Sequence, residues 1–434
     1  MDTPIHIFWF RRDLRLNDNC GLAAALSSGI KVLPVFIFDN HILDRLSADD
    51  ARIAFIHKRI NDLNQQLVKF NTAISVYYGK PEDVFTEILG KYSVKKVYTN
   101  RDYEPYAIGR DKKVAEKLGK SGIAFETYKD QVLFEAGEIL KQDGKPYVVF
   151  TPYAKKWLSR MNEIRIDHFD SERHLNGFLS GIETPMPSLE GLGFRKAGIG
   201  FPSATIVEDL IEKYAETRDY PGLDSTSRLG LHLRFGTISI RDCILAGKEH
   251  SRVWLNELIW REFFMQILFF FPNVVNTSFK PEYDRIQWLN DETHYRRWCE
   301  GATGYPLVDA GMRELRQTGF MHNRVRMVVA GFLTKHLLID WRWGEAWFAE
   351  KLLDFELSSN NGNWQWAAGT GCDAAPYFRI FNPSGQAKKF DPQSDYIKKW
   401  VPESGTHNYP EPIVDHAEAR IRCLITYKNA LKAR

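Results

Sequence analysis

The run Asn360-Asn361-Gly362-Asn363-Trp364-Gln365-Trp366 sets two indoles two residues apart among amides and a glycine. It leads into Asp373-Ala374-Ala375-Pro376-Tyr377-Phe378-Arg379. Ordinary core is not written this way. An indole carries an N–H that needs a partner when buried, and an amide is expensive to bury without hydrogen bonds. Flat rings interleaved with amides suit a pocket in which a planar ligand stacks while its polar edge is read. A flavin, a nucleobase, or both would use such a pocket.

Three other segments carry candidate chemistry. In Asn256-Glu257-Leu258-Ile259-Trp260-Arg261, helical spacing puts Glu257, Trp260 and Arg261 on one face. That face is either a surface Glu–Arg pair beside a core Trp, or a cavity wall where Trp260 stacks a base and Glu257 bonds its edge. Met321-His322-Asn323-Arg324-Val325-Arg326-Met327 groups Asn323, Arg326 and Met327. The Met suits gap-filling core, and two Arg beside an amide suit an anion or phosphate. Thr226-Ser227-Arg228-Leu229-Gly230 is a hydroxyl-rich turn ahead of helical sequence, either a plain cap or a phosphate cradle. Trp288, Trp341 and Trp364 each read as core alone; only a fold that aligns them makes an electron path.

These segments need a scaffold. At 434 residues the chain is too long for one core and implies two domains or three. The first part alternates strand candidates (Ile5–Phe10, Lys31–Phe38, Ala73–Tyr78, Lys95–Thr99, Ile123–Tyr128) with helix candidates (Gly21–Ser28, Ala51–Phe70, Pro81–Tyr92, Gly109–Lys120). This predicts a parallel α/β sheet, Rossmann-like in shape, in residues 1–130. No Gly-x-Gly-x-x-Gly follows the first strand, so nothing supports NAD. Residues 131–200 read as a Gly- and Pro-interrupted connector. Residues 201–434 read as all-α, with helices over Trp254–Phe270, Gly311–Gln317, Asn323–Leu338 and Trp347–Leu353. Ten of the 12 Trp lie in that part.

Composition excludes several classes. The longest apolar runs are too short to span a bilayer, and no basic leader precedes the first strand. Cys20, Cys243, Cys299, Cys372 and Cys423 are scattered without a Cys-x-x-Cys pair, predicting reduced thiols, no metal site and a cytoplasmic protein. A net charge of +3 permits only a local basic patch.

Together the segments resemble the photolyase/cryptochrome family along nearly the whole chain. The resemblance begins at Phe8-Trp9-Phe10-Arg11-Arg12-Asp13-Leu14-Arg15-Leu16-Asn17-Asp18-Asn19. It is densest across Gly304-Tyr305-Pro306-Leu307-Val308-Asp309-Ala310-Gly311-Met312-Arg313 and 360–383. Within the family, the chain is most similar to bacterial class I cyclobutane pyrimidine dimer (deoxyribodipyrimidine) photolyases. The resemblance implies an N-terminal antenna domain, a C-terminal helical domain that holds FAD and binds UV-damaged DNA, and a carbon–carbon lyase driven by light.

It also implies roles. Tyr214, Thr226, Ser227, Arg228 and Leu229 would hold the FAD diphosphate and its surroundings. Asn360 would face the flavin's reactive nitrogen and favour its reduced form, with Arg326 and Asp354 paired beside the ring. Trp260 and Trp366 would sandwich a dimer flipped from the duplex. Glu257 and Asn323 would bond its edges, Met327 would touch it, and Arg324 and Arg379 would contact dimer or DNA. Trp364, Trp341 and Trp288 would carry electrons to oxidised FAD. Lys388, Lys389, Lys398 and Lys399 are candidates for phosphate contact.

The match breaks in places. Glu356 stands where a shorter Asp is usual beside the flavin, Phe355 and Asn363 replace glycines, and Gly230 replaces a hydroxyl residue. The helix reads His322-Asn323-Arg324, without the second His on which (6-4) repair relies. The antenna is open between a folate, a deazaflavin, a second flavin and none: Glu104 matches a folate-binding position, but Pro272–Phe279 lacks the Lys that folate binders use. A monomeric repair enzyme is the expected function; a blue-light photoreceptor of the cryptochrome type is the rival.

Overall fold

The computed structural model describes residues 3–182 and 185–432. Contacts divide the chain into two compact units, neither contiguous in sequence. One comprises the segment ending at Glu138 together with Trp157–Thr205 and Arg228–Leu245; the other comprises Ile139–Lys156, Ile206–Ser227 and the chain from Ala246 onward.

The first unit is built on a parallel five-stranded sheet in the order β3-β2-β1-β4-β5. The strands are β1 (Ile5–Phe10), β2 (Val32–Asp39), β3 (Ser75–Gly79), β4 (Val94–Asn100) and β5 (Ala124–Tyr128). Every residue of β1 and β2 is buried. A parallel strand covered on both faces has no solvent side, so these two read as unbroken apolar runs. Helices α1 (Cys20–Leu26), α2 (Ala51–Leu67), α3 (Pro81–Lys91) and α4 (Pro105–Lys120) lie between the strands in sequence. The α4 helix starts four residues before its expected Gly109, because Pro105 is suited to a first helical position whose N–H would have no partner.

From residue 246 on, the regular elements among the described residues are all helical. Those that build the site are α5 (Arg252–Phe270), α6 (Glu292–Glu300), α7 (Pro306–Thr318), α8 (Asn323–Gly331), α9 (Trp341–Lys351), α10 (Leu357–Ala368), α11 (Pro383–Phe390) and α12 (His416–Lys432). Three differ from expectation. The α7 helix starts at Pro306, five residues before its expected Gly311, with the proline in its first turn. The α9 helix begins at Trp341 instead of Trp347, because the Asp340 carboxylate accepts the N–H of Arg342 and caps it. The α8 helix stops at Gly331 and passes into a π-helical turn, Phe332–His336, instead of running on to Leu338. A further helix, Phe150–Glu163, lies within the stretch read as connector. Pro152 falls in its first turn, where a missing N–H costs no helical bond.

Two glycines let the second unit close. A Cβ at Gly344 would overlap the Trp364 ring, and one at Gly362 would overlap the Phe264 ring. Helix α9 therefore packs on α10, and α5 on α10, closer than any side chain would allow.

Candidate active site

A cavity in the second unit lies among α8, α9 and α10, with about 610 Å³ of space free of atoms, its open mouth included. Asn323, Arg326 and Met327 line it from α8, as their shared helical face requires. Asp354 and Glu356 come from the turn before α10, and Asn360, Trp364 and Trp366 from α10 itself. Residues picked out by type and spacing, or by the family resemblance, thus converge on one cavity.

The ion pair expected of Arg326 and Asp354 is present, with Nη2 2.9 Å from Oδ2; Arg326 Nε also donates to the Met321 carbonyl at 2.7 Å. Asn360 is fixed by a residue the sequence reading missed. Its Nδ2 donates to the Glu345 carbonyl at 3.0 Å and to Glu345 Oε1 at 2.8 Å. Both partners accept, so the amide nitrogen must face them and Oδ1 is the remaining acceptor. Burial raises the Glu345 pKa, and the Asn360 bond opposes that rise. Glu345 follows Gly344 on α9, and nothing in its local sequence marks it.

Glu356 has its own partner. Its Oε2 lies 3.0 Å from Arg261 Nε on α5, and both side chains are buried. The two substituted glycine positions also line the cavity: Asn363 donates to the Ser359 carbonyl at 2.8 Å, and Phe355 packs against the apolar core.

A chain of charges runs from Glu257 to the cavity. Arg218 pairs with Glu257, Arg324 Nη2 lies 2.7 Å from Asp219, and Arg324 Nη1 approaches Met327 Sδ at 3.8 Å. Burial raises the Glu257 pKa, and Arg218 holds it down. Arg218 and Asp219 were overlooked, although their adjacency four residues after Tyr214 is a charge signal. Tyr214 itself is buried, with the Arg218 guanidinium 5.2 Å over its ring.

The remaining candidates are placed as follows. Trp260 is half-buried and stacks flat on Phe150, centroids 3.6 Å apart and 5° from coplanar. Trp366 lies in the cavity wall, and no direct ring contact joins it to Trp260 among the described residues. Arg379 is exposed on the turn between α10 and α11, where its carbonyl accepts from the buried Lys335 at 2.9 Å. Thr226 and Ser227 end a segment of the second unit, while Arg228 and Leu229 open one of the first, with Arg228 at φ 50°. Neither Tyr214 nor these four line the cavity. Trp364 and Trp341 are fully buried in one apolar cluster, against which Trp288 packs. In the first unit, Glu104 is held by Arg12 at 3.1 Å and by Arg234 at 2.5 Å.

Residues 6–171 match the family profile described as DNA photolyase, and residues 254–407 match the one described as the FAD binding domain of DNA photolyase. A deoxyribodipyrimidine photo-lyase from Halobacterium salinarum is 36% identical over 98% of this chain and 99% of its own. The chain belongs to the photolyase/cryptochrome family. Among solved structures, a class III photolyase from Agrobacterium tumefaciens superposes with a TM-score of 0.85 at 32% identity, covering 100% of this chain and 99% of the other. A Synechocystis cryptochrome superposes at 0.83 and 27%, covering 98% and 99%. The family fold, an α/β part followed by a helical FAD-binding part, is the one observed, and its cofactor is FAD. The cavity's donor set fits the planar part of such a cofactor. Ala330, Leu352 and Ala367 supply apolar surface, Arg326 and Asp354 a balanced charge pair, and Asn360 Oδ1 an acceptor.

Proposed function

We propose that the protein repairs cyclobutane pyrimidine dimers in DNA with light. The observation that carries this reading is the linked set Glu257–Arg218–Asp219–Arg324 leading to Met327 in the cavity wall. Such a set places acceptors and donors for a pyrimidine edge beside the cavity lined by Arg326, Asp354 and Asn360.

When bound, FAD supplies light absorption and the lending and recovery of one electron. Arg326, Asp354 and Asn360 would hold its ring, with Glu356 and Arg261 fixing the start of α10. The Glu257 carboxylate accepts N–H from the pyrimidine imides and Arg218 donates to their carbonyls. Half-buried beside the cavity, this pair would stabilise charge arriving on the dimer once the dimer has displaced water from it. Trp366 and the free side of Trp260 supply stacking, worth roughly 1–3 kcal/mol per base. Asn323 and Arg379, both exposed, would meet the bases and backbone. Tyr214 and residues 226–229 would hold the diphosphate.

We further read the chain as a monomer working in the cytoplasm. None of its five cysteines is in a disulfide, and no described helix is long and apolar enough to cross a membrane. An antenna chromophore would sit in residues 1–130.

The rival, a photoreceptor without repair, draws on the likeness to a cryptochrome. Both are tested by one assay: blue light on the reduced protein with a thymine-dimer oligonucleotide, against a dark control. Return of intact thymines supports repair; none, from FAD-loaded and fully reduced protein, sinks it in favour of the photoreceptor.

A further inference from the structure

The Asp373-Ala374-Ala375-Pro376 stretch after α10 contributes nothing to the cavity wall, yet its acid reaches the surroundings of Trp260. The Phe150 N–H donates to Asp373 Oδ2 at 2.9 Å, and the Phe150 ring lies on Trp260 with centroids 3.6 Å apart and planes 5° from parallel. Rings so close and so parallel overlap face to face with little offset. Aromatic pairs left to themselves favour offset or edge-on contacts over that arrangement, so the surroundings must hold it. Gln266 on α5 donates Nε2 to the Tyr147 carbonyl at 3.3 Å, and Tyr153 meets Phe263 of α5 at 5.2 Å. The chain is thus pinned to α5 on both sides of Phe150. Within α5, Phe263 stands edge-on to the same indole at 5.6 Å and Phe264 tilts against it at 5.4 Å. Trp260 still keeps part of its surface open to solvent.

From this geometry we propose that Phe150 and Asp373 are positioning residues for dimer binding. They back Trp260 on one face, fix its plane, and leave a flipped pyrimidine dimer only the opposite face to stack on. The inference rests on the dimer-repair reading given above. Neither residue touches the substrate; Phe150 acts through the indole, and Asp373 acts through Phe150.

A half-buried indole without a backing would turn about its side-chain bonds, and a ligand that stacks on it would bear the loss of that freedom on binding. Phe150 removes the freedom beforehand. Asp373 suits its part because Phe150 opens the helix Phe150–Glu163, and a carboxylate at a helix N-terminus is favoured by the peptide dipoles. The same carboxylate joins the two stacking residues of the site. Helix α10, which carries Trp366, ends at Ala368, and Asp373 lies in the turn after it. One bond therefore ties the backing of Trp260 to the segment leaving Trp366, although the two indoles make no direct ring contact among the described residues.

The experiment uses the FAD-loaded protein labelled with fluorotryptophan, the Trp260 fluorine signal being assigned by its loss in W260F. Dark affinities are measured beside it for a thymine-dimer duplex and for the same duplex undamaged. Phe150→Leu keeps apolar bulk and removes the flat ring. Its Trp260 signal should shift and broaden as ring shielding is lost. Its affinity for the dimer duplex should fall roughly three- to tenfold, part of what base stacking contributes, while its affinity for the undamaged duplex holds. In repair under saturating light, KM should rise by the same factor and the saturated rate should fall by less. Phe150→Tyr should restore both the signal and the affinity, and Asp373→Ala should reproduce the Leu variant in milder form. Dimer affinity unchanged in Phe150→Leu, or lost equally on both duplexes, would overturn the inference. A wild-type protein with a shielded Trp260 signal but no preference for the dimer would strike the repair reading and leave the backing of Trp260 standing.

Discussion

The Glu356 carboxylate reaches the Arg261 guanidinium, Oε2 to Nε at 3.0 Å, with both groups buried. The extra methylene that separates this chain from its family's usual Asp therefore spans the gap between α10 and α5. Removing one partner of such a pair leaves an uncompensated buried charge, which costs about 3–5 kcal/mol. Glu356→Ala should lose stability of that order in urea unfolding. Glu356→Asp, which keeps the charge but withdraws it, should lose about half as much. An Asp variant as stable as wild type would show that the contact is incidental.

Arg218 holds down a carboxyl pKa that burial pushes up. Under the proposed role, Glu257 must be ionised to accept from the pyrimidine imides, and the acid limb of the pH–repair profile would then report its titration. Arg218→Gln removes the opposing charge. The Glu257 pKa then rises, and the acid limb should move to higher pH. Glu257→Ala should instead lower repair at every pH while the flavin spectrum stays. A limb that does not move in Arg218→Gln would remove Glu257 from the dimer contacts.

How much of this was legible beforehand depends on whether the signal was local. Strands β1 to β5 fall within two residues of their expected ends; β1 and β2 are buried throughout and written as continuous apolar runs, while the partly exposed β3, β4 and β5 are marked by β-branched and aromatic residues. The α8 face of Asn323, Arg326 and Met327 was legible for a similar reason, its period being that of the helix. Glu345 and Phe150 were not. Each acts through a partner distant in sequence, Asn360 and Trp260 respectively, and carries no local mark. The π-helical turn after α8 was hidden too, since Phe332-Leu333-Thr334-Lys335-His336 continues an ordinary helical pattern and only tertiary packing distinguishes it.

Gly344 has a specific duty that any side chain would spoil. A Cβ there would overlap Trp364 and the Leu333 side chain, so Gly344→Ala must displace the indole that the family resemblance implies passes electrons to FAD. Overpacking of this kind costs about 1–3 kcal/mol. The expected result is a lower Tm together with slower flavin photoreduction. An unchanged photoreduction rate in a destabilised variant would show that the position of the indole is not limiting.

The paired lysines around α11 are engaged at the surface: Lys389 lies 4.9 Å over the Phe390 ring, Lys399 lies 5.1 Å over Trp400, and Lys398 donates to the Gln393 carbonyl at 2.9 Å. Phosphate contact would compete with these local partners. Replacing Lys388 and Lys389 by Ala should weaken binding to any duplex and shallow the log–log salt slope by about 1–2. Affinity unchanged at low salt would assign both to solvated surface.

His322 caps α8 by accepting the Arg324 N–H on Nδ1 at 3.2 Å, which requires an unprotonated ring. Burial, reinforced by the Arg326 guanidinium, lowers its pKa to about 4. In the unfolded chain it titrates near 6.5. Between these values the unfolded state binds more protons, so stability falls as pH drops from about 6.5 toward 4. The loss from His322 alone between pH 7 and pH 5 comes to about 2 kcal/mol. His336, lowered to about 3 by burial and by His416, adds in the same direction. His322→Asn keeps a capping acceptor without the titration. Its unfolding free energy should therefore fall by about 2 kcal/mol less than that of the wild type over the same interval. Equal losses in the two proteins would mean that His322 keeps its ordinary pKa and that the acid sensitivity resides elsewhere.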